Sequence, residues 1–180
     1  MEKGTSKQKK AVVFREFSSG GVVYKRNRGK TLWLVSRSSP SLDYPKTVWR
    51  LQKGWLDDDE EGKVPGKLAR GEVKASEEDL QKAALREVKE EGGVSAEVFK
   101  KLTTERYFYK NKEGRKIMKF VTFYLMRWLE NVPGGFGAET SEIKWLPYLE
   151  ARKLLTHSGE KKVLDKANTL LNAGLQSSLI

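Results

Sequence analysis

Three glutamates, Glu87, Glu90 and Glu91, stand at i, i+3 and i+4 in a stretch, Glu78 to Glu91, whose apolar positions repeat with a helical period. At about 100° per residue, Leu80, Ala83, Ala84 and Val88 make one side of that helix, its core-facing stripe. The three glutamates fall within the same arc of roughly 160°, whereas Glu78, Lys82 and Lys89 point away from it. Ionised carboxylates aimed at packed surface are costly unless paired, and three at this spacing repel one another. A divalent cation resolves the conflict. Carboxylate oxygens suit Mg2+ or Mn2+, which neutralise such a cluster and bridge to phosphate groups. Gly92-Gly93 then lets the chain turn sharply at the helix end. The competing reading of three glutamates alone is a solvated acidic helix end balanced by neighbouring lysines. The chain has no cysteine, so any metal must be held by oxygen or nitrogen, and the single histidine, His157, suits a surface or capping role better than catalysis.

The elements that must position this helix can be read along the chain. Val12 to Tyr24 reads as strand, bend and strand, with the bend at Ser18-Ser19-Gly20-Gly21, and Thr31 to Ser36 as a further strand. Val48 to Leu51 is a short strand leading into Lys53-Gly54. The charged run from 57 to 77 has no apolar periodicity and reads as an exposed loop. Two long strands, near Glu97 to Tyr109 and Met118 to Trp128, are joined through the turn-forming Asn111-Lys112-Glu113-Gly114 and should pair as a hairpin. Glu142 to Leu146 is a short strand; Pro147 opens a helix through about Leu155, and Glu160 to Leu171 is an amphipathic helix. Residues 1–10 read as a basic, mobile arm.

With 180 residues, the chain suits one domain, 11–175. No apolar run approaches the ~18 residues of a membrane span, and the polar, lysine-bearing start lacks the apolar core of a secretory signal, so a cytoplasmic protein is expected. Thirty-five Lys+Arg against 24 Asp+Glu give a net charge of +11, which favours phosphorylated small molecules and other polyanions. Aromatics are not interleaved with the basic residues in a nucleic-acid-binding pattern, which leaves a capped RNA end as the nucleic acid to consider.

Glu78, seven residues, then Arg86-Glu87-Val88-Lys89-Glu90-Glu91-Gly92-Gly93-Val94 resembles the second half of the Nudix box at every defined position. The box glycine should lie six residues before Glu78, where Glu72 stands; Lys53-Gly54-Trp55-Leu56-Asp57 is similar to the usual Lys-Gly start, displaced by an insertion, 58–77. Phe17 to Val23 is similar to the first strand of the family and Trp145-Leu146-Pro147 to the opening of its last helical segment. Within the family the chain most resembles bacterial diadenosine tetraphosphate hydrolases, through Val48 to Gly54, Tyr107-Phe108-Tyr109 and Glu150 to Leu155, although Gln52 stands where that subgroup has proline.

The resemblance implies an α/β/α sandwich with a mixed sheet, the box helix on one side and the C-terminal helices on the other, and the alternation of strands and helices agrees with it. It implies that Glu87, Glu90 and Glu91 ligate the divalent ions together with Gly54, that Arg86 orients Glu87, and that Glu139, with Glu142 as the alternative, is the acid outside the box that approaches the metal or serves as base. Arg50, Lys53, Tyr107, Tyr109, Lys119 and Tyr124 take positions resembling substrate contacts, each competing with a packing or surface role. The reaction implied is attack of water on a diphosphate bridge, without a covalent intermediate. The substrate expected is a nucleoside polyphosphate such as diadenosine tetraphosphate. Diphosphoinositol polyphosphates or capped RNA ends are alternatives, as is a binding module that has lost catalysis. The insertion reads as a tolerated surface loop or a lid.

Overall fold

The computed structural model describes residues 13–42, 45–58 and 64–177; the N-terminal arm and residues 59–63 of the insertion lie outside them. Strands β1 (Phe14–Asn27), β2 (Lys30–Ser38), β3 (Trp49–Arg50) and β4 (Gln52–Trp55) precede helix α1 (Glu77–Gly92). Strands β5 (Val94–Lys110), β6 (Lys116–Asn131) and β7 (Thr140–Leu146) follow, then α2 (Tyr148–Leu154) and α3 (Ser158–Ser177). One seven-stranded sheet runs β3-β2-β1-β6-β5, with β4 also on β1 and β7 on β2. β1 and β6 are parallel, from Phe14 opposite Ile117 to Tyr24 opposite Arg127, while the other pairs are antiparallel, so the sheet is mixed.

Because side chains alternate across a strand, the central strands feed two cores. Val22, Tyr24, Trp33, Val35, Phe123 and Leu125 pack with Ala151, Val163, Leu164 and Ala167 of α2 and α3. Val23, Leu34, Tyr124 and Met126 pack with Ala84 and Val88 of α1. This is the expected sandwich. The expected hairpin is also present as β5 and β6, in register from Val94 opposite Asn131 to Lys110 opposite Lys116.

One expectation is corrected. Ser18-Ser19-Gly20-Gly21 is not a bend but the middle of the continuous strand β1. Its small residues serve close packing: a Cβ on Gly20 would sit 2.2 Å from the Gln52 carbonyl oxygen of β4, and one on Gly21 would sit 2.5 Å from Val88 of α1. The far end of the insertion is largely exposed, as expected, but it is tethered. The Asp57 carboxylate accepts the amides of Leu68 (3.1 Å) and Ala69 (2.7 Å), Phe17 donates its amide to the Ala69 carbonyl at 2.7 Å, and Ala69 is fully buried.

Helix α1 begins one residue earlier than its apolar pattern required, because Ser76 and Asp79 close a reciprocal cap: Asp79 N–H to Ser76 Oγ at 3.1 Å and Ser76 N–H to Asp79 Oδ2 at 2.8 Å. It stops at Gly93, whose φ of 64° is left-handed and whose amide donates to Lys89 O at 3.0 Å. A side chain there would meet the backbone of Gly135 and Phe136 at 2.8 Å. Among the described residues no helix is long and apolar enough to cross a membrane.

Candidate active site

The C-terminal turn of α1 ends over β4 and β2, where Gly92 leaves room for Leu34 and Gln52. This brings the box carboxylates against the β3-β4 edge. Glu91 is buried; its Oε1 pairs with Arg50 Nη2 at 2.5 Å and its Oε2 accepts the Lys53 amide at 2.9 Å. Glu87 is buried under β4, so close that a Cβ on Gly54 would sit 2.2 Å from its carboxyl carbon. Arg86 ties the edge together: Nη2 reaches Glu87 Oε1 (2.9 Å) and the Trp55 carbonyl (2.7 Å), and Nη1 reaches Asp58 (2.9 Å) and Glu90 (3.3 Å). Glu90 is the exception to the shared buried face. It lies at the edge of the arc and its side chain is 54% exposed, at the rim.

These groups line a cleft of ≈ 400 Å³ that also takes in Arg50, Lys53, Lys119, Asp58 and, from the turn before β7, Glu139. Lys53 Nζ is held by Glu160 Oε1 of α3 at 2.6 Å. Lys119, mostly buried, lies 5.6 Å from the centre of the Trp55 ring and 4.0 Å from Glu16. Glu16 Oε2 also accepts the Tyr109 hydroxyl (2.6 Å) and the Trp55 indole N–H (3.2 Å), so Tyr109 is anchored beside the cleft. Tyr107, directly opposite Lys119 in the hairpin, is 43% exposed.

Of the substrate positions inferred from sequence, Tyr124 is not brought here. It is fully buried against α1, and its hydroxyl donates to Glu77 Oε1 at 2.7 Å, at the opposite end of the helix. The reason is strand geometry: Lys119 and Tyr124 are five apart in β6 and so point to opposite faces. Glu142 is also diverted, pairing with Arg37 at 3.2 Å and Lys144 at 3.3 Å, so of the two acids expected outside the box it is Glu139 that lines the cleft. Asp58, Trp55 and Glu160 were not singled out by sequence reasoning. Asp58 was hidden in the acidic run of the insertion and Glu160 in an ordinary amphipathic helix; Trp55, beside the Lys-Gly pair, carried a signal that went unused.

The electrostatics record the cost of this packing. Burial pushes the Glu87 carboxyl up to about 8, and Glu91, Glu90 and Asp58 add to it while Arg86 opposes. Burial also raises Glu91, against the pull of Arg50 and Lys53. Burial lowers the Lys119 ammonium, with Lys53 and Arg50 adding to the effect. For Lys53, burial works against the charged form, yet Glu160 and Glu91 outweigh it and hold its pKa above the ordinary lysine value. Burial thus disfavours the ionised form of Glu87 and Glu91, a cost that added positive charge would offset, and the hard oxygen donors of the cleft fit Mg2+ or Mn2+. Among the described residues no three acids are drawn up as a ready cage. The ion pairs explain why: Glu91 faces Arg50, and Glu87 and Glu90 face Arg86, so these carboxylates must exchange partners to take an ion.

The chain is similar to several known proteins. The mutator protein MutT4 of Mycobacterium tuberculosis is 29% identical over 114 residues, 63% of the chain, and the match spans 45% of that longer protein. Among solved structures, a Caenorhabditis elegans Ap4A hydrolase binary complex superposes with a TM-score of 0.56 at 21% identity, covering 88% of this chain and 98% of that one. The NUDIX domain of Shewanella oneidensis NrtR complexed with ADP ribose gives 0.61 at 15% identity, covering 87% and 88%. The MutT protein of Methanosarcina mazei gives 0.58 at 14%, covering 87% and 95%. These likenesses establish a shared fold. The NUDIX domain family matches residues 17–167, most of the length and the whole of the cleft described above, and the chain belongs to that family.

Proposed function

We propose that residues 11–175 form one metal-dependent hydrolase unit that cleaves a diphosphate linkage in nucleoside polyphosphates, with dinucleoside polyphosphates such as diadenosine tetraphosphate as substrate. The observation that carries this reading is the pair of buried carboxylates, Glu87 and Glu91, at the floor of a cleft whose other lining includes Arg50, Lys53 and Lys119. Buried acids held beside cations in an open cleft are expensive as architecture and useful as chemistry.

Glu87, Glu90 and Glu91 would hold Mg2+ or Mn2+, and the ion would offset charge developing on phosphate oxygens and favour ionisation of the attacking water. Arg86 fixes Glu87 and Glu90 relative to the Trp55 carbonyl. Arg50 and Lys119 offer positive charge to the phosphate chain, each already partly engaged with an acid that phosphate oxygens can displace. Water attack would break one bridging P–O bond, and the proton it sheds would go to a carboxylate, a role we assign to Glu139 because it lines the cleft. Tyr107 and the Glu16-anchored Tyr109, with Trp55, provide aromatic surface beside the cleft for a nucleobase. The likeness of the fold to a solved Ap4A hydrolase supports this choice of substrate.

The test is to incubate the chain with Mg2+ and a panel of nucleoside polyphosphates, nucleotide sugars, inositol pyrophosphates and capped RNA, and to weigh the products. Diadenosine tetraphosphate should give two nucleotides whose masses differ from substrate by one water in total. Cleavage of capped RNA or inositol pyrophosphate alone would replace the substrate, and cleavage of none would leave a binding module.

A further inference from the structure

Lys53 joins the two sides of the cleft. Its backbone amide donates to Glu91 Oε2 at 2.9 Å, while its ammonium is drawn to Glu160 Oε1 at 2.6 Å, on the helix that covers the other face of the sheet. Both charged ends are nearly out of solvent: the Lys53 side chain is 15% exposed and that of Glu160 is 7%. The second Glu160 oxygen accepts the Leu51 amide at 2.9 Å, so this one carboxylate, from the first turn of α3, fixes both the start of β4 and its lysine.

We propose that Glu160 is a positioning residue: by binding the Lys53 ammonium it keeps that group from pairing directly with Glu91, so that Glu91 remains able to ligate a divalent cation. The inference rests on the reading of the cleft as a metal site and adds to it a residue from the opposite layer. A buried ammonium left without its partner must find another anion. Lys53 lines the same cleft as Glu91, and its flexible four-carbon stem lets the ammonium turn toward that carboxylate. A Lys53–Glu91 pair would occupy the oxygens that the cation needs. Without Glu160, therefore, the metal competes with a second internal cation in addition to Arg50, which already pairs with Glu91.

The experiment is titration calorimetry of the full chain with Mn2+, using wild type, Glu160→Gln, Lys53→Met and the double variant, with melting curves as a check on folding. Glutamine keeps one acceptor for the Leu51 amide, while its NH2 cannot accept from the Lys53 ammonium, so Glu160→Gln releases that ammonium, should remain folded and should bind Mn2+ about 10- to 100-fold more weakly. Lys53→Met should bind at least as tightly as wild type, and adding it to Glu160→Gln should restore affinity, a rescue that a merely structural role for Glu160 would not produce. Undiminished Mn2+ binding by folded Glu160→Gln, or a double variant as weak as the single one, overturns the inference while leaving the metal site intact. Should Glu160→Gln unfold, Lys53→Met decides: binding as tight as wild type supports the inference and weaker binding overturns it. Absence of Mn2+ binding by the wild type overturns the reading of the site itself, and this inference with it.

Discussion

Replacing Gly54 by alanine puts a methyl group where the Glu87 carboxylate now lies. The added Cβ would be 2.2 Å from the carboxyl carbon and Oε1, and 2.3 Å from Oε2. Ordinary contact needs about 3.5 Å, so the carboxylate must retreat by about 1 Å. It is the far end of a flexible side chain and can do so without moving α1 or β4, so the stability cost should stay near 1–3 kcal/mol, the usual range for overpacking. A displacement of about 1 Å in a group that places reactants costs on the order of 100-fold in rate. Gly54→Ala should therefore remain folded by circular dichroism and lose about two orders of magnitude in Mg2+-supported turnover of diadenosine tetraphosphate. Gly20→Ala is the contrasting case: its Cβ would meet the Gln52 backbone oxygen at 2.2 Å, which cannot swing aside, so it should lose fold and activity together. Undiminished turnover in Gly54→Ala would refute the reasoning, since the position of Glu87 would then not matter.

Other outcomes follow from single residues. Burial holds the Glu87 carboxyl near 8 against an ordinary 4.5, so in chelator the folded chain keeps a proton that the unfolded chain has lost. The contribution is complete below about pH 4.5 and is lost as pH rises to about 8, a change of a few kcal/mol that denaturant midpoints should show and Glu87→Gln should flatten; an equally steep decline in that variant would exclude Glu87 as the cause. Gln52 is fully buried with neither amide atom hydrogen-bonded among the described residues, so Gln52→Met should stabilise the protein by about 1–3 kcal/mol, and a lower melting temperature would contradict this. Tyr124→Phe removes a hydroxyl that serves Glu77 and not the cleft, so it should cost about 1–2 kcal/mol of stability and leave KM unchanged; a raised KM would return Tyr124 to the substrate site.

How far these features could be read in advance depended on the range of the forces behind them. Helix α1 was legible because its apolar repeat, glycine stop and acid spacing are local, and the β5-β6 hairpin because its turn residues are local. Ser18 to Gly21 misled because the same small residues that favour a bend are demanded here by α1 on one side and β4 alongside, which no window around them reveals. Glu90 was placed on the buried face by angle alone, but burial at the end of a helix depends on what it abuts, and β4 covers Glu87 and Glu91 rather than Glu90. The separation of Tyr124 from Lys119 was readable, since an odd spacing along a strand already puts the two on opposite faces. Glu160 was out of reach, for its partners Lys53 and Leu51 are 107 and 109 positions away and only the closed sandwich makes them neighbours.

The most direct test of the account is the rate of Mg2+-supported hydrolysis of diadenosine tetraphosphate by Glu91→Gln beside wild type, each with and without chelator. Glu91 accepts from Arg50 on one oxygen and from the Lys53 amide on the other; glutamine keeps the shape and one acceptor, so it gives up one of the two bonds, and circular dichroism should show the variant folded. The account predicts turnover by wild type that chelator abolishes and Mg2+ restores, and a variant that is folded and nearly inactive under every condition. Wild-type turnover in Glu91→Gln, or turnover indifferent to chelator, would contradict it.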